Sequence, residues 1–558
     1  MRLILYFYTE LAVFIMRIFF NFSFLLCSGF LFCQSTSTPK LIVGIVVDQM
    51  CYDYLYRYEN KLSDKGFLKL LRNGSVCHNT QYNYVPTFTG PGHASIYTGT
   101  TPNNHGIIAN EWYDRNLNRE INCVEDSTVK SVGTDSKYGK SSPKNLLAFT
   151  ITDQLKLTYK KSKVISVSIK NRSAILPGGH LSDGSYWFDY ASGKFITSSY
   201  FKMDLPKWVS DFNAEDQVKN YLDQTWKTLL PIDQYTESEM DNSPYEVLLK
   251  TKKSPEFPYD LKEMSGGKPS YDLFTGSPFA NTYLTDFALK ALKEEEMGID
   301  ENPDFLAISY STPDIVGHNF GPYSVEIEDI YLRLDLEIEK LLDVLESSVG
   351  KNNFVLFLTA DHAVVPVPQY LIDKKLPGGY IFEDKMKADL DKILTTEFGQ
   401  NLILEISNNQ IYVDHKSINK KKIDKQDVLE SIESYLMKQK GIKEVYSTKD
   451  MTKVSSDNWL KMIQLGYRSF ECGDLMLLLE PGYLPKHTNN ENTSRGTSHG
   501  SAFNYDSHVP LIWYGKQIPV SQIYRHIDII DIAATLAPIL HIQRPNMTTG
   551  EPIIKILK

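Results

Sequence analysis

Several features that would mark other kinds of protein are missing from this sequence. No Walker phosphate loop and no Gly-x-Gly-x-x-Gly fingerprint follows a strand-like run, which removes the usual warrant for a nucleoside triphosphatase or a dinucleotide enzyme. There are no internal repeats, coiled-coil heptads or low-complexity tracts, so solenoids and fibrous architectures are excluded. Cysteine is scarce, at six in 558 residues, and no C-x-x-C pair suggests a thiolate metal site or a redox motif. Positive charge is not in excess either. The formal net charge is −9, which argues against nucleic acid as the main partner, because phosphate backbones select basic surfaces. An anionic ligand would need local cations. With 42% hydrophobic and 23% charged residues, the composition is that of a globular chain with ample core.

The first 33 residues differ in character. Met16-Arg17 precedes an apolar stretch from Ile18 through Cys27 to Cys33, and Gln34-Ser35-Thr36-Ser37-Thr38 then turns polar. A basic start, a short apolar stretch and a polar sequel read as a secretory signal peptide over 1–33, with Met16 as an alternative start. The competing reading is a membrane anchor. Phe32 before Cys33 is not the small residue that a lipid-modified cysteine requires. The expectation is therefore a periplasmic or secreted protein whose mature chain, 34–558, is one domain with insertions. Its remaining cysteines, Cys51, Cys77, Cys123 and Cys472, read as buried thiols with room for one bridge.

The mature part opens on Leu41-Ile42-Val43-Gly44-Ile45-Val46-Val47-Asp48, a continuous apolar run of the kind found in strands buried on both faces. Phe305–Tyr310 and Phe354–Thr359 repeat the pattern, and shorter runs at Val164–Ile169 and Leu475–Leu479 could add strands. Between the two longer runs, Ile327, Tyr331, Leu334, Ile338, Leu341 and Leu345 recur at helical spacing. Strand, amphipathic helix, strand is a βαβ signature, so the expected fold class is α/β, a mostly parallel central sheet flanked by helices. Residues 177–280 and 375–460 lack this rhythm and read as insertions. Lys420-Lys421-Lys422, flanked by acids, reads as a solvated face.

Acids and histidines fall where these strands end. Asp48 follows the first run directly; Asp314 and His318 follow the second; Asp361 and His362 follow the third. Parallel sheets bind ligands beyond the carboxyl ends of their strands. Three strands therefore deliver carboxylates and imidazoles to one edge. His499, in Gly496-Thr497-Ser498-His499-Gly500-Ser501, lies in a loop of small residues that would let it approach a crowded site. Six such ligands suit two zinc ions with three protein ligands each. Any one of them alone would be an ordinary cap or core residue. Magnesium remains an alternative, although three histidines favour zinc.

The segment Pro86-Thr87-Phe88-Thr89-Gly90-Pro91-Gly92-His93-Ala94-Ser95, followed by Asn103-Asn104-His105-Gly106 and then Asn110, resembles the PafA-type alkaline phosphatases and, more distantly, the nucleotide pyrophosphatase/phosphodiesterases. The resemblance runs over nearly the whole mature chain, including Asp528–Leu536, which looks like the helix that closes this fold. It implies that Thr89, not Thr87, is the nucleophile and also a metal ligand. It further implies that Asn110 holds a phosphoryl oxygen, that Asp48, Asp361 and His362 bind the zinc that also takes Thr89, and that Asp314, His318 and His499 bind the second zinc. Ser168-Ile169-Lys170-Asn171-Arg172-Ser173 resembles the Lys-x-Arg segment of the monoesterases, which implies that Lys170 and Arg172 contact non-bridging phosphoryl oxygens.

The implied reaction is hydrolysis of phosphate monoesters through a phosphothreonine, with net retention at phosphorus and activity rising toward alkaline pH. His93 and His105 read as packing or loop residues. The expected partners are phosphate monoesters, with no nucleic acid, no stable membrane partner and a monomeric chain. A phosphodiesterase of the same superfamily is the nearest alternative, against which Lys170 and Arg172 argue; an inactive metal- or phosphate-binding protein is the alternative from another class. A sulfatase would need a Cys/Ser-x-Pro-x-Arg segment, which is absent. Phosphoglycerate mutase relatives use serine and are usually cytosolic.

Overall fold

The computed structural model describes residues 11–13, 16, 38–488 and 494–557. The chain divides into two units, 1–38 and 39–558. In the first, residues 11–13 and 16 are helical, and the remainder of the signal-peptide reading lies outside the described residues. Among the described residues no helix is long and apolar enough to cross a membrane.

The second unit is built on an eleven-stranded mixed sheet. In chain order its strands are β1 (Leu41–Val47), β2 (Ser75–Gln81), β3 (Ser131–Val132), β4 (Val164–Ser168), β5 (Gly184–Asp189), β6 (Lys194–Ser198), β7 (Asp304–Tyr310), β8 (Phe354–Thr359), β9 (His508–Gly515), β10 (Ser521–Ile523) and β11 (Ile527–Asp528). Across the sheet they run β10-β2-β9-β8-β1-β7-β4-β5-β6-β3, with β11 also on β2. The middle of this order, from β8 to β5, is parallel. β9 and β6 turn antiparallel on either side.

The apolar runs are continuous rather than alternating because helices cover both faces of these strands. Every residue of β1, β7 and β8 is buried. The crossover from β7 to β8 is made by the helix Val325–Leu345, capped by the Ser324 side chain, which accepts from the Ile327 N–H. Leu334, Ile338, Leu341 and Leu345 bury its apolar stripe. Each such side chain contributes about 1.5–3 kcal/mol on leaving water, and Leu341→Ala would cost about 2–5 kcal/mol through the cavity it leaves.

The segment 177–280 differs from the insertion expected of it. Its residues 184–198 form β5 and β6 and belong to the central sheet. Beyond them, 199–280 is mostly short helices and turns, tied down by contacts such as Trp226 Nε1 to Asp329 Oδ2 at 2.7 Å. The segment 375–460 makes a lobe with its own sheet, in the order Ile403–Ser407, Gln410–Val413, Leu475–Leu479 and Ile442–Ser447. Leu390, Leu394, Val413, Ile432 and Leu475 form its separate core, so the run at Leu475–Leu479 completes the lobe rather than the central sheet. Cys51, Cys77, Cys123 and Cys472 are all free, buried thiols.

Candidate active site

The parallel register fixes where the acids emerge. Leu41 pairs with Asp304 on one side and with Phe354 on the other, so β1, β7 and β8 end at the same sheet edge. Asp48 leaves β1 there. Asp314 and His318 sit one turn apart on the helix Thr312–Phe320 that follows β7, and Asp361 and His362 lie in the turn after β8. Two groups result. Asp48, Asp361 and His362 bring ligand atoms within 4.8 Å of one another, and so do Asp314, His318 and His499.

Each of the three histidines is held the same way. Nδ1 of His318 donates to the Thr497 carbonyl at 2.9 Å, Nδ1 of His362 to the Ala363 carbonyl at 3.0 Å, and Nδ1 of His499 to the Thr87 carbonyl at 2.7 Å. A carbonyl can only accept, so each ring carries a proton on Nδ1 and turns its Nε2 toward the carboxylates. Burial opposes a charge on His318, but Asp314 beside it outweighs that and raises the His318 pKa. Burial, with the nearby His499 ring, keeps His362 well below its usual pKa, and burial lowers His499 as well.

The carboxylates carry more negative charge than their surroundings balance. Burial, with Asp314 and Asp361 alongside, raises Asp48 well above the carboxylate range, and burial pushes Asp361 up to about 7. Burial acts on Asp314 too, but His318 and Lys170 outweigh it and hold that group low. Asp48 Oδ1 and Asp361 Oδ2 are buried with no hydrogen-bond partner. Orphaned acceptors of this kind are costly. Together with the three convergent imidazole Nε2 atoms, they are the donor set a divalent cation would satisfy. The residues fit two metal ions.

Thr89 opens the helix Thr89–Thr98, buried along its whole length. Its Oγ1 lies 3.4 Å from His362 Nε2. Thr87 faces elsewhere, its hydroxyl donating to the Ser501 carbonyl at 3.0 Å. Pro91 is tolerated because the first helical turn has no use for its missing N–H. At position 92 a Cβ would lie 2.3 Å from the Asp361 carbonyl oxygen, so only glycine lets helix and ligand loop approach this closely. The N-terminal end of the helix places positive potential beside the Thr89 hydroxyl. The Gly90 N–H donates to Asn110 Oδ1 at 2.7 Å, which fixes Asn110 next to Thr89.

Lys170 follows β4 and precedes the helix Asn171–Gly178. Its Nζ lies 2.7 Å from Asp48 Oδ2 and also contacts Asp314 Oδ2, so it touches both groups at once. Arg172, two residues on, has a buried Nε without a partner. His93, one turn after Thr89, donates Nδ1–H to the Thr89 carbonyl at 2.9 Å and accepts at Nε2 from Ser309 Oγ at 2.8 Å. Burial lowers His93 to about 4, so it packs as a neutral ring. His105 clamps its loop, accepting from Ile107 N–H and donating to Ser95 Oγ.

Gln49 drew no attention in the sequence. It holds a left-handed backbone at φ 66, costly for a residue other than glycine. From there its backbone N–H donates to Asp361 Oδ1 at 3.2 Å and its Nε2 to Asp314 Oδ1 at 2.6 Å. Only its position after Asp48 could have flagged it.

The family model of the type I phosphodiesterases/nucleotide pyrophosphatases matches residues 42–502. The chain is 42% identical over 529 residues to alkaline phosphatase PhoV of Synechococcus elongatus, covering 94% of each protein. It is 41% identical over 541 residues to alkaline phosphatase PafA of Elizabethkingia meningoseptica, covering 96% of this chain and 98% of that one. The crystal structure of wild-type PafA superimposes with a TM-score of 0.89 at 39% identity, over 94% of this chain and all of the other.

Proposed function

The chain is a member of the type I phosphodiesterase/nucleotide pyrophosphatase family, and from that premise we infer that it is an alkaline phosphatase that hydrolyses phosphate monoesters with Thr89 as nucleophile. The observation that carries the reading is the convergence of the Thr89 hydroxyl, at a helix N-terminus, with two three-residue ligand groups and Lys170 on one sheet edge.

Asp48, Asp361 and His362, with Thr89, would hold one zinc ion, and Asp314, His318 and His499 the other. Bound there, the two ions supply Lewis-acid charge for the phosphoryl and leaving oxygens and favour the deprotonated threonine. The Thr89 oxygen attacks phosphorus in line, forming the P–O bond to the threonine as the bond to the leaving oxygen breaks, and the leaving oxygen departs as an alcohol after taking a proton. Asn110, Lys170 and Arg172 hold the non-bridging oxygens. Water then attacks the phosphothreonine from the side the alcohol left, its oxygen bonding to phosphorus as the bond to the Thr89 oxygen breaks. One of the water's protons returns to Thr89, the other stays with the released phosphate, and two inversions give net retention.

A monoester dianion carries more charge than a diester monoanion, so Lys170 and Arg172 favour the monoester. The signal-peptide-like start supports a periplasmic or secreted location, and nothing in the proposed chemistry requires more than a monomer. The deciding experiment is hydrolysis of p-nitrophenyl phosphate against bis-p-nitrophenyl phosphate, with zinc, by wild type and Thr89→Ala. A large monoester preference that the variant loses is the expected result. A diester preference would make the protein a phosphodiesterase, and a fully active variant would remove Thr89 from the chemistry.

A further inference from the structure

The loop that carries His499 has no regular secondary structure, so its backbone groups need partners from elsewhere. Ser501, two residues after His499, is gripped at both ends. Its carbonyl accepts from Thr87 Oγ1, and Thr87's own carbonyl accepts from His499 Nδ1. Its N–H donates to Asp506 Oδ2 at 2.8 Å. Between them, Gly500 makes a tight turn at φ +120, where a Cβ would lie 2.5 Å from the Phe88 ring.

Asp506 has no exposed surface and sits in the short helix Asn504–Ser507. Its carbonyl oxygen accepts from Ala363 N–H at 2.8 Å, one residue after His362. One residue thus fixes both ligand-bearing loops: the carboxylate holds the His499 turn and faces the Val365 N–H three residues after His362, and the carbonyl holds the His362 turn as well. Asp506 Oδ1 is buried without a partner, a desolvation cost that persists only where something compensates it. The groups facing the carboxyl are the Ser501 hydroxyl and the backbone N–H groups of Ser501, Gly500 and Val365, which pull against its burial. The three N–H groups require an acceptor at this position.

We propose that Asp506 is a positioning residue shared by the two ligand groups, holding His362 and His499 at the separation that lets two metal ions bind side by side. The proposal rests on the ligand assignment above. Its partners are backbone groups, so it acts on the ions through geometry rather than by contact. Outer partners of metal ligands typically change affinity by about 10–100-fold.

The test compares wild type, Asp506→Asn and Asp335→Asn as metal-free proteins titrated with zinc against a competing chelator, with thermal unfolding measured in parallel. Asp335 is the control: it is buried, and its carboxylate accepts from two backbone amides, Ser63 and Phe67, on the helix between β7 and β8. The expected result is two zinc ions on wild type, both bound about 10–100-fold more weakly by Asp506→Asn, and unchanged affinities in Asp335→Asn despite a lowered Tm. Wild-type affinities in Asp506→Asn, or an equal loss in Asp335→Asn, would overturn the proposal. Fewer than two ions on wild type would instead overturn the ligand assignment, and the proposal with it. Should Asp506→Asn not fold, the same titration is read on Asp506→Glu, which keeps the charge but moves it by one methylene and is expected to bind both ions more weakly than wild type.

Discussion

The imidazoles of His362 and His499 stack nearly parallel, with ring centres 3.5 Å apart and planes 15° from each other, although one ring follows a central strand and the other comes from a distant loop. They belong to different ligand groups. The two groups therefore abut rather than form separate sites, and ions held by them would share a substrate. Lys170 spans the same junction from the carboxylate side, between Asp48 and Asp314.

Replacing Thr89 by alanine would remove the attacking oxygen of the proposed mechanism but leave both ligand groups in place. Monoesterase kcat is expected to fall by about 10⁴-fold or more, as when other enzymes lose their nucleophile. Rapid acid quench with a labelled monoester should trap phosphothreonine in wild type and none in Thr89→Ala. Label on any other residue would displace Thr89 from its role.

Lys170→Ala and Arg172→Ala should separate the two ester classes. Removing one preorganised donor costs about 10²–10³ in rate where charge develops, and the loss should be larger on p-nitrophenyl phosphate than on bis-p-nitrophenyl phosphate. The measured quantity is the ratio of the two kcat/KM values. A ratio unchanged in both variants would mean that neither cation selects for the dianion.

Dialysis against a chelator should abolish turnover and lower Tm together. A ligand bound only by the folded state, at a free concentration 1,000 times its Kd, stabilises by about 4 kcal/mol. Zinc should restore both properties at two equivalents per chain. Magnesium alone should restore neither, because the three imidazoles suit a softer ion.

His105 supplies a pH signature remote from the ligands. Burial lowers its pKa from 6.5 to about 3. The unfolded chain therefore binds this proton more readily than the folded one between those values. The contribution is complete above pH 6.5 and is lost as pH falls from there toward 3, at about 1.4 kcal/mol per pH unit. His105→Gln, which does not titrate, should show a shallower loss of stability over this window. The check is the urea midpoint measured from pH 7 to pH 4 for both proteins. Equal slopes would show that His105 titrates normally.

Much of the fold was legible because burial on both faces leaves a plain mark. β1, β7 and β8 were visible as unbroken apolar runs, and the helix Val325–Leu345 as a stripe of period 3.6. β5 and β6 were not, since Gly184–Asp189 mixes glycine, serine and aromatics, and Lys194–Ser198 is short and carries few aliphatics. The lobe was seen only in part, because its strand Leu475–Leu479 lies beyond the segment it completes.

The sequence by itself determined which ligands and hydroxyls could reach one edge. Residues that follow parallel strands must emerge together, and Thr89, Asp48, Asp314, Asp361 and His362 all follow apolar runs or open a helix. The family resemblance implied how those groups are divided and that Thr89 rather than Thr87 attacks; only the tertiary structure decided which residues hold them. Gln49, Thr497 and Asp506 do their work through hydrogen bonds to backbone or carboxylate atoms of remote segments. Such bonds depend on three-dimensional distance and on which polar groups are shut away from water, and neither leaves a period or a spacing along the chain.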